Sequence, residues 1–337
     1  MADLKTTYLG LNLKNPVIAG ASTMTKNLDT IKRLEDAGAA AIVTSSLFEE
    51  EIALEQYKFE EDLSKFDFKH PEMIDIFPDL EHAGPEEHLM WVRKAKESVS
   101  VPVFGSLNAV HPETLQDYAK KMEQTGADGL ELNLYRFPEH TDDNGEKIEA
   151  EQKEQLKKIL ETVSIPVSVK LSPFYTNPLN FICSLDSEGV KGFVLFNRLF
   201  QPDIDIDNEK NIFPFNLSNR VDSRLPLRYT GLLFGELNGD ICSSTGIMSG
   251  DDVVRMILAG ASCVQAVSTF YRNKITSLEK MLKTVEEWMD KKGYSSLDDF
   301  RGKLSRKNSG DPSAYKRAQY VKLLLHPEII QENFPVL

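Results

Sequence analysis

One unit recurs along this chain and constrains its fold more than any other feature. A helical stretch closes on a small-residue turn, and a short run that is apolar at nearly every position follows. The unit occupies residues 36–44, 125–133, 188–196 and 259–267. The glycine near its start (Gly38, Gly126, Gly189 and Gly260) suits the left-handed residue just past a helix end. The runs behind it read as parallel strands buried on both faces. A second variant opens its strand with Pro102 or Pro166, where no ladder donor is lost. Further runs follow Asn15 and Gly239. The expected strands therefore lie near 16–20, 40–44, 101–106, 129–134, 166–171, 192–196, 239–243 and 262–267. Amphipathic helical patterns separate them, clearest over 116–124, 151–162, 251–258 and 277–290. Such alternation pairs strands in parallel through right-handed crossovers. Eight units in 337 residues predict an α/β fold, a closed (β/α)8 TIM barrel in preference to an open doubly wound sheet.

Two segments exceed what a minimal barrel needs. Residues 49–84 follow the second strand and carry Phe59, Phe66, Phe68 and Phe77; residues 201–228 follow the sixth and carry Asp203, Asp205 and Asp207. Loops of this length serve as lids or interface elements. The alternate aspartates lack the glycine and the closing glutamate of a calcium loop, so they read as a solvated acidic loop, and no metal site is expected. Residues 1–293 are read as the barrel and 294–337 as an extension packed on its outside.

In this fold the chemistry collects where strands end. The expected ends carry Ala21 and Ser22, Ser45, Ser106 and Asn108, Asn133, Lys170, Asn197 beside Arg198, the run Ser243, Ser244, Thr245 and Gly246, then Ser268 and Thr269. Neutral amides and hydroxyls satisfy a ring with alternating donors and acceptors. A lysine at its edge stabilises negative charge that builds on reduction. The run ending at Gly246, with a helix start behind it, offers N–H groups and hydroxyls to a phosphate. Singly, Asn133 and Asn197 read as loop caps; a strand-end lysine is ordinarily a snorkelling surface cation, but the apolar flanks Val169 and Leu171 and the following Pro173 turn Lys170 towards function. Gathered on one rim, they read as a site.

Composition excludes partner classes and says little more; the expected partner, a small-molecule substrate, rests on the rim residues. A net charge of −13 argues against nucleic acid and against an anionic membrane. Cys183, Cys242 and Cys263 sit far apart in apolar surroundings with no metal-ligand spacing, which reads as a reducing compartment. With no membrane-length apolar run and no signal core in the first 13 residues, the expected location is cytoplasmic. The six histidines show no ligand spacing and are expected on surfaces or loops.

NPVIAGAS at 15–22, ELNL at 131–134, VKL at 169–171 and Thr245-Gly246 together resemble the dihydroorotate dehydrogenases, FMN-containing (β/α)8 enzymes. Segments 46–50, 195–198, 201–205, 225–228 and 304–308 are most similar to the dihydroorotate-dehydrogenase-like branch, and the resemblance spans about residues 4–324. It implies FMN across the barrel mouth. Ala21 and Ser22 would meet the ring, Asn133 and Lys170 its polar edge with Ser45 and Ser106 nearby, and Thr245, Gly246, Ser268 and Thr269 the phosphate. Asn108, Asn133 and Asn197 would face the substrate. The implied oxidoreductase removes a hydride and a proton from adjacent carbons, within pyrimidine biosynthesis and in a homodimer. Lys170 and Tyr135 are the catalytic candidates.

The chain departs from that family at three places. The family base, a cysteine or serine after the Asn-Leu pair, is absent from NLYRFP at 133–138. Tyr135 is the acid left there, with an ordinary pKa of roughly 10. The family lysine after the second strand gives way to Thr44 and Ser45. The paired glycines of the phosphate turn become Gly246 and Ile247, and the branched side chain is expected to restrict a phosphate. These departures turn the expected substrate from dihydroorotate itself towards another small planar or carboxylated molecule. They leave open a non-catalytic barrel that has lost flavin. A flavin-free lyase or isomerase using Lys170 as an amine nucleophile is the third reading.

Overall fold

The structure, a computed structural model, describes residues 2–52, 85–108, 112–134, 141–198, 201–214, 217–311 and 313–326. Their strands, in chain order, are β1 (Thr6–Tyr8), β2 (Leu11–Leu13), β3 (Val17–Ala19), β4 (Ala41–Phe48), β5 (Val103–Asn108), β6 (Gly129–Leu134), β7 (Val167–Leu171), β8 (Gly192–Leu195), β9 (Asp203–Asp205), β10 (Lys210–Ile212), β11 (Asp240–Ser244) and β12 (Cys263–Ala266). Eight of them close a parallel barrel in the order β11-β12-β3-β4-β5-β6-β7-β8, which is the (β/α)8 TIM barrel that the recurring unit predicts. Alternate residues of each strand face out against the helices or into the barrel. Leu130, Leu132 and Leu134 of β6 face out, and Glu131 and Asn133 face in.

Helices Pro112–Gln124, Gly145–Thr162, Gly250–Ala259 and Ser277–Lys292 contain the four expected stretches and begin earlier or end later than periodicity suggests. Polar caps explain part of the difference. The Asn144 side chain accepts from the Glu146 and Lys147 N–H groups, and Ser249 forms a capping box with Asp252. Among the described residues no helix is long and apolar enough to cross a membrane.

The two proline-led strands are entered through the same device. Glu35 accepts from the Ser100 N–H at 2.8 Å, and Glu123, at the end of the helix Pro112–Gln124, accepts from the Ser164 N–H at 2.7 Å. Each carboxylate also takes a serine hydroxyl and the next N–H, so it satisfies a backbone turn that proline leaves outside the ladder. The Lys120 ammonium and then the Ser164 donors hold the Glu123 carboxyl at about 2, below its usual 4.5. A depressed folded-state value means that this contribution is complete above the unfolded value and is lost as pH falls through the folded one. Glu123→Gln is expected to cost about 1–2 kcal/mol at neutral pH. That cost should shrink as pH is lowered through the window between 4.5 and about 2. Urea unfolding across that range reads it, and a pH-independent cost would contradict the clasp.

The β1–β2 hairpin plugs the barrel floor. Tyr8, Leu9 and Leu13 join Ile18, Val43, Phe104 and Val194 in one interior cluster. Each such buried side chain contributes about 1.5–3 kcal/mol. The Leu9 N–H is fixed on the Asp240 carboxylate at 2.9 Å. Gly192 makes room for the plug, since a Cβ there would stand 2.6 Å from Leu9 Cδ2.

Three expectations are corrected here. Asp203 and Asp205 lie in an antiparallel β9–β10 hairpin, and Asp205 closes its turn by accepting from Asn208 Nδ2 at 2.7 Å. Cys183 is exposed, while Cys242 and Cys263 are buried opposite each other on β11 and β12. His88 is buried in the helix Pro85–Ser98, where burial first and Lys26 second push its pKa down to about 4. Residues 53–84, with the four phenylalanines of the long acidic segment, lie outside the described residues.

Beyond the last barrel helix, Leu297 and Phe300 are buried, and Phe300 lies edge-on to Trp288 with ring centres 5.0 Å apart. The Gly302, Leu304 and Arg306 N–H groups bond the carbonyls of Ile257, Leu258 and Gly231. This backbone ties the segment across two barrel helices, Gly250–Ala259 and Arg224–Leu233.

Candidate active site at the barrel mouth

Parallel strands bring their C-terminal ends to one rim, and there the chain forms a cavity of about 480 Å³. Ala21, Ser22, Ser45, Asn108, Asn133, Lys170, Asn197, Thr245, Gly246 and Ser268 all line it, so ten expected site residues from eight chain segments converge. Two others do not line it. Ser106 is fully buried, with its hydroxyl 2.7 Å from that of Ser46. The Thr269 hydroxyl donates to the Met248 carbonyl at 3.2 Å, so it braces the turn after β11 from behind. Tyr135 lies outside the described residues.

Irregular backbone positions several of these groups. β4 runs four residues beyond its expected end, and its pairing with β5 slips between Val43 and Ser46. This bulge lets the successive residues Ser45 and Ser46 both reach the cavity. The turn after β11 holds Thr245 and Gly246 at φ of +76° and +80°. The Thr245 hydroxyl donates to the Phe196 carbonyl at 3.0 Å. Ser243 faces away from the cavity and bonds Thr230 at 2.6 Å, so it leaves the expected phosphate run. Ile247 is packed in the core cluster with Val253 and Val254 at 2 % exposure and also lines the cavity beside Gly246.

The hydrogen bonds give each group a direction. Asn197 Nδ2 donates to Asn133 Oδ1 at 3.1 Å, which locks the two amides to each other. Lys170 Nζ lies 3.5 Å from Glu131 Oε1, and Gln265 Nε2 donates to Glu131 Oε2. Ser45 Oγ and Gln265 Oε1 are buried with no hydrogen-bond partner among the described residues, although both side chains line the cavity. A buried orphan acceptor or hydroxyl on a cavity wall marks a place where a bound group supplies the missing bond.

Four contributors escaped the sequence reading. Glu131 and Gln265 lie inside apolar strand runs. Period-two alternation was their signal, since Glu131 shares a face with Asn133. Ser218 lies in the long segment 201–228, where nothing local marks it. Its N–H and hydroxyl donate to Ser268 Oγ at 3.0 and 2.9 Å, and its hydroxyl accepts the Gly246 N–H at 3.2 Å. Having accepted twice, the Ser268 hydroxyl keeps its own proton to give. Arg272 secures this strap through the Leu217 and Ser218 carbonyls. Glu50 brings a carboxylate to the rim after β4.

Fold and site define a (β/α)8 barrel whose ligand cavity lies at the C-terminal rim and is lined with amides, hydroxyls and one buried lysine. A family model described as dihydroorotate dehydrogenase matches residues 80–289. The chain belongs to the dihydroorotate dehydrogenase family. It is 26 % identical over 314 residues to the dihydroorotate dehydrogenase B (NAD(+)) catalytic subunit of Thermoplasma acidophilum, covering 90 % of this chain and 99 % of that one. It is 28 % identical over 283 residues to the protein of the same name from Methanocaldococcus jannaschii, covering 80 % and 87 %. The departures at the base and at the strand-two lysine turned the expected substrate from dihydroorotate itself; the relatives do not bear that out.

Proposed function

We propose that this chain is an FMN-dependent oxidoreductase that oxidises dihydroorotate or a planar, carboxylated molecule closely like it. The observation that carries the reading is the pair of buried orphans, Ser45 Oγ and Gln265 Oε1, in residues that line one ring-sized cavity together with Lys170. A flavin ring presents acceptors and one N–H along its pyrimidine edge. Lys170 Nζ suits an acceptor, Gln265 Oε1 suits the N–H, and Ser45 suits either. The cavity falls within the 300–1,000 Å³ that cofactor sites span, roughly. Beyond the ends of β11 and β12, the Ser268 hydroxyl and the turn at Thr245 and Gly246 suit a phosphate, and Ser22 lines the same cavity. The residues present therefore fit FMN, which when bound supplies hydride acceptance.

The chain's own groups do the rest. Asn108, Asn133 and Asn197 hold the substrate flat, the Asn133–Asn197 bond fixing how two of the amides point. Lys170 offsets negative charge at the ring edge. A side chain of the chain accepts the proton, and Tyr135 is the candidate because it stands in the sequence where the family carries its base. Glu131 lies 3.5 Å from Lys170, and this buried ion pair engages the amine that a nucleophilic reading would need free. The relatives are named catalytic subunits of an NAD(+) enzyme, and on that ground we extend to this chain a partner subunit that passes electrons to NAD+.

Protein purified without added cofactor is expected to be yellow with flavin absorbance, and anaerobic dihydroorotate should bleach it within seconds to minutes. Colourless protein that takes up no FMN on reconstitution would instead support the flavin-free barrel.

A further inference from the structure

The interior of a (β/α)8 barrel is ordinarily packed with branched apolar side chains. Here a carboxylate occupies it. Glu131, 1 % exposed, lies one layer beneath the mouth, and its two oxygens are divided between Lys170 Nζ at 3.5 Å and Gln265 Nε2. Lys170 and Gln265 are themselves 7 % and 2 % exposed, and both line the cavity. The strand register explains the arrangement. Asn133 pairs with Lys170 across β6 and β7, so Glu131, two residues earlier on the same face, comes to lie directly below the lysine. Tyr8 of the floor plug is the other ionisable neighbour, held neutral by burial and then by Cys242, Cys263 and Glu131.

We infer that Glu131 is a positioning residue that sets the reduction potential of the flavin through Lys170 and Gln265. The inference rests on the FMN reading above. The carboxylate does two things from below the ring. It offsets part of the Lys170 charge, which lowers the field that would stabilise a reduced, more negative ring. It also takes the Gln265 amide N–H₂, which forces the orphan Oε1 to present an acceptor. Both effects restrain reduction, so the site as built favours handing electrons onward over holding them.

The test is the two-electron midpoint potential of the FMN-loaded protein, by dye-coupled titration, with FMN affinity measured separately by reconstitution. Glu131→Gln removes the negative charge at nearly constant volume. It is expected to change the ratio of reduced to oxidised flavin at fixed potential at least tenfold in favour of reduced, an upward shift of ~30 mV or more. Glu131→Asp keeps the charge but withdraws it from Lys170 by one methylene, so it should shift the potential the same way by less. It also keeps the test alive if Glu131→Gln does not fold. Soluble variants that hold FMN at the wild-type potential, or at a lower one, overturn the inference. If the wild-type protein takes up no FMN, the functional reading itself has failed, and that is seen before any variant is made.

Discussion

Lys170→Met is expected to lower the rate of flavin reduction by substrate about 10²–10³-fold and, separately, to destabilise the fold by about 3–5 kcal/mol. The two losses have different origins. The rate falls because the cation on the cavity wall that offsets charge at the ring edge has gone. The stability falls because Glu131, 1 % exposed, keeps its charge and loses the ammonium 3.5 Å away, leaving only the Gln265 amide. A double variant separates them. Adding Glu131→Gln to Lys170→Met removes the stranded carboxylate, and replacing both partners of a buried pair by neutral groups of similar volume is often close to neutral. The double variant is therefore expected to regain most of the unfolding free energy in urea while staying as slow as the single one. A double variant no more stable than Lys170→Met would show that the pair does not stabilise through its charges. One that regained the rate would remove Lys170 from the chemistry.

What the sequence made legible follows from where each signal lies. Barrel strands are buried on both faces, so their runs stand out as unbroken apolar stretches. The glycines that end helices mark four of the eight starts, Pro102 and Pro166 mark two more, and the runs after Asn15 and Gly239 complete the set. Asn133 and Asn197, which singly pass for loop caps, were legible with Lys170 because all three close strand runs that a parallel barrel brings to one rim. Glu131 and Gln265 were not. They interrupt their runs from inside, and their partners lie 39 and 134 residues away, so nothing local distinguishes a paired interior carboxylate from a misplaced one. Ser106 and Thr269 were placed on the right rim, but their hydroxyls turn to Ser46 and Met248; direction is set by packing, which position alone does not carry. Ile247, read as an obstacle to phosphate, belongs both to the core cluster behind the turn and to the cavity lining.

Gly246→Ala is expected to lower FMN affinity at least 100-fold and to cost about 2–4 kcal/mol of stability, combining a left-handed backbone with overpacking. Gly246 sits at φ +80°, and a Cβ there would stand 2.4 Å from the Ser223 nitrogen and 2.9 Å from the Asn219 carbonyl oxygen. Both are backbone atoms and cannot swing aside as a side-chain tip would. The strap that carries them is also pinned. Arg272 holds the carbonyls of Leu217 and Ser218, Arg220 meets Asp252 at 3.2 Å, and the Asn219 side chain caps the turn that follows. The methyl group must therefore move the turn after β11 itself, which is held by single bonds: the Thr245 and Thr269 hydroxyls and the Met248 N–H on Asp252. Moving it breaks the Gly246 N–H bond to Ser218, and with it the arrangement that leaves the Ser268 proton facing the cavity. Affinity should fall more steeply than stability, since the turn can relax by an ångström and still fold, whereas a phosphate seat displaced by an ångström loses its donors. Fluorescence titration with FMN and urea unfolding on the same preparation read the two effects. A Gly246→Ala protein with wild-type affinity would mean that the strap yields first and that the phosphate is held elsewhere.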